Sequence, residues 1–126
     1  VSREQLDQEL LQLLLQLLLQ LAAKAAGIDA EVLGEYFGDE GLWLKGERSP
    51  DNSKYWNPRR DDGDALRLAI KLGITITREI YGSEYYVHAT PPGTHQGYDE
   101  PYGEDQYAAA RLAILRAAAA IGKAMP

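Results

Sequence analysis

The chain has 126 residues, enough for one domain with an adequate core, and no cysteine, which excludes disulfides and thiolate metal sites. Its formal net charge of −6 argues against duplex DNA or RNA as the main partner, because such proteins draw most of their affinity from a basic face. The same charge aids solubility, leaves room for a small anionic ligand held by a few arginines, and lets an acidic surface imitate nucleic acid.

Residues 2–26 read as one helix with Ser2 as its cap and Gly27 as its stop. LLQL occurs three times running, starting at Leu10, Leu14 and Leu18. Leucine and glutamine both favour helix, so this repeat is helical and not disordered. Gln8, Gln12, Gln16 and Gln20 form a drifting polar stripe, and leucines cover the rest. That apolar arc is about twice the width an ordinary surface helix needs. The surplus face calls for a second cover, either a second chain or a wrapping within one subunit, and self-association is the favoured expectation. Leu10 to Leu21 follows Glu4, Asp7 and Glu9, which does not fit a signal peptide, and is short for a membrane span.

Residues 31–37 and 42–45 read as two strands, with Gly38-Asp39-Glu40-Gly41 as their turn. Residues 46–58 read as a polar loop ending in Tyr55 and Trp56. Asp61 or Asp62 caps a second helix that ends before Gly73, with Leu66, Ala69 and Ile70 on its apolar side. Asp64, Arg67 and Lys71 lie at spacings suited to local ion pairs. Residues 74–80 and 84–89 alternate as strands around a turn at Gly82. The fourteen residues 90–103 hold three prolines and three glycines, and read as a functional connection. The last helix covers residues 104–123, with Tyr107, Ile114 and Ile121 facing the sheet and Ala109, Ala113, Arg116 and Ala120 on the opposite side. The sum is an α+β fold in the order α-β-β-α-β-β-α, with a small antiparallel sheet of four strands packed with helices. It is one domain, 1–126, with a Leu/Gln-rich helix over 1–26 and a body over 27–126.

Arg116 stands alone among alanines between Arg111 and Lys123. Buried arginine needs a carboxylate, a phosphate or dense hydrogen bonding. The two readings are phosphate capture at a subunit interface and an ion pair, with Asp105 or a neighbouring chain as acceptor. Arg59 and Arg60 follow Tyr55 and Trp56 at a helix start, a pattern in which an aromatic ring stacks on a base and guanidinium takes phosphate. The alternative there is a solvated loop with Trp56 in the core. His88 in a strand suits a structural role or a ligand contact, and His95, in the long loop with Thr90 and Tyr98, suits a ligand contact. No ligand spacing supports a metal, no cofactor motif is present, and no nucleophile, base or phosphate-binding glycine loop is recognisable.

Three segments carry a family resemblance: residues 21–28 (LAAKAAGI), 56–76 (WNPRRDDGDALRLAIKLGITI) and 103–125 (GEDQYAAARLAILRAAAAIGKAM). The Asp-Gly-Asp-Ala-Leu-Arg-Leu-Ala run at 62–69 and the Arg-Ala-Ala step at Arg116 are its most specific parts. Together they resemble the phage ABA-sandwich domain family. In layout the chain is similar to the Thoeris anti-defence signal sponges, while its first twenty residues fall outside the resemblance. What the resemblance implies is an oligomeric, non-enzymatic protein in the cytoplasm of an infected bacterial host. It would bind a cyclic ADP-ribose isomer or a CBASS cyclic oligonucleotide without cleaving it, and need no cofactor. Arg116 would hold phosphate, and the loop from Thr90 through His95 to Tyr98 would close over adenine or ribose. Partner chains would meet through the leucine-rich first helix and the alanine-rich last helix. The rival is a protein–protein inhibitor of a bacterial defence system, of anti-CRISPR or anti-restriction type. A sponge protects when mixed with signal alone, whereas an inhibitor needs the host protein present.

Overall fold

A computed structural model describes residues 2–32, 42–44 and 55–126. Among the described residues, three helices and six short strands follow one another: α1 (Arg3–Ala26), β1 (Ala30–Val32), β2 (Leu42–Leu44), β3 (Tyr55–Trp56), α2 (Asp62–Leu72), β4 (Thr75–Tyr81), β5 (Glu84–Thr90), β6 (Tyr98–Pro101) and α3 (Gln106–Ala124). The architecture is α+β and its sheets are antiparallel. Instead of one four-stranded sheet there are two three-stranded ones, β1-β2-β3 and β4-β5-β6. The two additional strands lie where the sequence reads as loop. β3 has only two residues and β6 ends in Pro101, so neither offers a run long enough to signal a strand. Pro101 is tolerated because β6 is an edge strand, where a missing N–H leaves no ladder bond unmade. The expected turn at 38–41 and most of the loop at 46–58 lie outside the described residues.

Helix ends follow the local chemistry. Ser2 and Gln5 form a reciprocal capping box at the start of α1, and Gly27 closes it at φ 69°. Asp61 accepts from the Asp64 N–H to start α2, and Gly73 ends it at φ 70°. Asp105 accepts from the N–H groups of Tyr107 and Ala108 at the start of α3, so it is a cap and not a partner for Arg116.

α3 is the centre of the molecule. It packs on α1, on α2 and on β5 and β6. Leu115, Ala113, Ala117 and Ala118 have no solvent exposure, and Ala109 and Ala119 are also buried. Its small residues therefore serve close approach within the chain. At Gly122 a Cβ would overlap the Leu21 carbonyl oxygen of α1, so only glycine allows the two helices this close. Burial of this alanine-rich face corrects two expectations. Arg116 faces β6, not away from the sheet, as its bonds to Asp99 and Glu100 show. Tyr107, expected in the apolar stripe with Ile114 and Ile121, is exposed, although Ile114 is buried and Ile121 half-buried.

On α2 the buried face is Ala65, Leu68 and Ala69, and Leu66 and Ile70 are exposed. The i, i+3, i+4 spacing is right for an amphipathic helix, but its phase is set by Leu68 with Ala65 and Ala69, and not by Leu66 and Ile70. α1 divides along its length. Leu15, Leu19, Ala22, Ala23 and Ala26 are buried, whereas Leu6, Leu10, Leu11, Leu13 and Leu14 are exposed. At 24 residues α1 is long and apolar enough to cross a membrane by length and composition, longer than the leucine run alone suggests.

Candidate functional site

The side chains of one strand point alternately to two faces. In β5, Val87 and Ala89 are buried towards α3. Their partners across the ladder are Glu100 and Tyr98 of β6, which share that face. His88 and its partner Asp99 share the other face with Thr77, and Thr90 pairs with Thr75 there. The sheet thus separates two groups of polar side chains.

On the helix side, Arg116 reaches from α3 to β6. Its guanidinium ion-pairs with Glu100, donates to the Asp99 carbonyl at 3.2 Å, and lies 5.0 Å from the centroid of the Tyr98 ring. The pair is partly shielded, with 37% of the Arg116 and 17% of the Glu100 side chain exposed. Tyr98 also borders a cleft of 440 Å³ between the β5–β6 connection and the end of α3. Pro91, Pro92, Thr94 and Gln96 form one wall, and Ala120, Ile121 and Ala124 the other. Arg116 lies four residues, about one helical turn, before Ala120. The cleft is mostly apolar, with Thr94 and Gln96 supplying hydrogen-bonding groups. The prolines and Gly93, at φ 75°, shape the wall from the sequence itself.

On the outer side, His88 Nδ1 lies 2.5 Å from Asp99 Oδ1. Gly97 packs over this histidine: a Cβ there would overlap the His88 ring and come within 2.8 Å of Thr90 Oγ1. The negative charge of Asp99, then loss of hydration and the charge of Glu79, raise the Tyr81 phenol above its ordinary value. Tyr86 is raised chiefly by its hydrogen bond to Glu84, 3.1 Å away. This face is acidic and aromatic, and Thr75, Thr77, Tyr81, Glu84 and Asp99 on it are exposed.

The expected site residues are therefore distributed. Arg116 and Tyr98 come together, and of the two only Tyr98 lines the cleft. His88 and Thr90 come together on the opposite sheet face. His95 is exposed in the connection between Thr94 and Gln96 and is absent from the cleft lining. Trp56, Arg59 and Arg60 lie ahead of α2. Trp56 is 6% exposed within the core cluster, so its ring packs inside and is not offered to a base. Asn57, also buried, donates its N–H to Asp64 and accepts from the Arg59 N–H, which fixes this turn. Arg111 ties the turn to α3 through the Arg59 carbonyl at 2.7 Å and Asp62 at 2.6 Å. Arg60 is exposed. Glu100, Gln96 and Pro91 carry no motif that marks them as site residues in the sequence. A strand signal around residue 98 would have placed Glu100 beside Arg116 by its i, i+2 spacing with Tyr98.

Compared with family models, with curated proteins and with solved structures, the chain matches none.

Proposed function

We propose that the chain is a non-enzymatic binding protein that sequesters a small anionic cyclic nucleotide, as a phage-encoded sponge for an immune signal in the bacterial cytoplasm. The observation that supports it best is the cleft walled by Tyr98 and the β5–β6 connection, with Arg116 just outside its lining against the Tyr98 ring. Its volume falls in the range of about 300–1,000 Å³ typical of small-molecule sites. The apolar wall suits a base or ribose, Thr94 and Gln96 suit their polar edges, and Arg116 suits a phosphate. Glu100 holds Arg116 in place until an anion arrives. In such an exchange the guanidinium gives up one charge-assisted acceptor for another, so its own charge is never left without a partner. A charge-assisted bond to phosphate and stacking on Tyr98 then favour the bound state. Sequestration needs no bond-breaking group. It requires only a dissociation constant well below the signalling concentration, and nanomolar affinity corresponds to about −12 kcal/mol.

Native mass spectrometry of the chain with cyclic ADP-ribose isomers and cyclic di- and trinucleotides tests this reading. Retention of one of them at unchanged ligand mass and fixed stoichiometry is expected. A folded protein that retains none of them, or that releases a cleaved product, overturns it.

A further inference from the structure

We propose that α1 joins two copies of the chain through an antiparallel leucine seam made of Leu6, Leu10, Leu13 and Leu17. These four residues recur at alternating spacings of four and three, the period of a coiled-coil seam. All four are 49–64% exposed. At 100° per residue their common direction is roughly opposite that of Leu15, Leu19, Ala22 and Ala26, which pack against the body. One face of α1 is thus used within the chain, and the seam is left for a partner.

A second copy is the occupant that fits. Under a two-fold axis near the middle of the seam, Leu6 meets Leu17 and Leu10 meets Leu13, so every seam leucine finds another leucine. Charge selects the antiparallel direction. The first turns carry Glu4, Asp7 and Glu9 against the single Arg3. Parallel pairing would bring the two acidic ends together. Antiparallel pairing lays each over residues 14–19 of the other helix, a stretch without charge, and opposes the helix dipoles. A lipid surface fits poorly: Glu9, Gln16 and Gln20 flank the seam, and a spanning α1 would have to withdraw Leu19, which has no solvent exposure, from the core. The proposal is separate from the ligand reading, since seam and cleft share no residue.

Sedimentation velocity on the full chain should give twice the 13.9 kDa chain mass, and the double variant L10K/L13K should give the single mass with an unchanged far-UV circular dichroism spectrum. The chain has no cysteine, so L6C and L17C can be cross-linked cleanly. Oxidation should join L6C to L17C in a mixture and leave each alone uncoupled. A monomeric wild type, a dimer unaffected by L10K/L13K, self-coupling of L6C, or flotation of the wild type with phosphatidylcholine vesicles would overturn the proposal.

Discussion

Arg111 and Arg116 sit five residues apart on α3, and each bonds one main-chain carbonyl and one carboxylate. Arg111, 16% exposed, ties α3 to the turn before α2 through Arg59 and Asp62. Arg116, 37% exposed, ties it to β6 through Asp99 and Glu100, over a tyrosine that borders a cleft. The acceptor set is the same, so hydrogen bonding alone does not separate a strut from a ligand arm. Solvent access and an adjacent cavity do. A guanidinium beside a cleft-lining tyrosine can exchange its carboxylate for a ligand phosphate, whereas Arg111 has no such cleft among the described residues beside it.

Removing the support common to both ends gives the largest effect. Leu19→Ala empties a fully buried position beneath α3 and should cost about 2–5 kcal/mol in urea unfolding. A loss below ~1 kcal/mol would mean that α1 does not anchor α3. Next, Arg111→Met should cost about 1.5–3 kcal/mol, the scale for hydrogen bonds to charged groups, and leave ligand affinity unchanged. A parallel fall in affinity would erase the distinction between the two arginines. Arg116→Met leaves Glu100, 17% exposed, without its partner and should cost about 1–2 kcal/mol, but unlike Arg111→Met it should also lower ligand affinity. An unchanged affinity would make it a strut like Arg111.

The smallest effect lies on the outer sheet face. Asp99 raises the Tyr81 phenol, so that ring stays protonated to higher pH than an ordinary tyrosine. Any stability this contributes is present below the ordinary pKa of 10.0 and is lost as pH rises through the raised value. Asp99→Asn should return Tyr81 towards its ordinary value. Phenolate absorbance, taken as a difference against Tyr81→Phe, measures it, and an unmoved titration would remove Asp99 as the cause.

Much of the fold was legible because its boundaries are set by local chemistry. Ser2, Asp61 and Asp105 are helix caps, Gly27 and Gly73 take left-handed φ, and the hairpin turns at Gly82, φ 66°. Facing was harder to read. Leu66 and Ile70 look like a core stripe, yet Leu68 with Ala65 and Ala69 is the buried face, a phase that apolar spacing alone does not decide. Arg116 stood out by its isolation among alanines, but its acceptor did not, since β6 is too short and too proline-bound to announce itself. Trp56 next to two arginines reads equally as stacking platform or core, and only the fold puts it inside. His88 and Thr90 share a strand with Val87 and Ala89, which are buried towards α3, and it is the alternation of that strand that sends them to the other face.

The most direct test compares wild type, Arg116→Met and Glu100→Gln by calorimetric titration with the cyclic ADP-ribose isomers and cyclic oligonucleotides. Glu100→Gln frees the guanidinium and should bind more tightly than wild type, whereas Arg116→Met should bind at least about tenfold more weakly, equivalent to 1.4 kcal/mol. Equal affinities across the three proteins, or no binding by any of them while folded, would contradict the account.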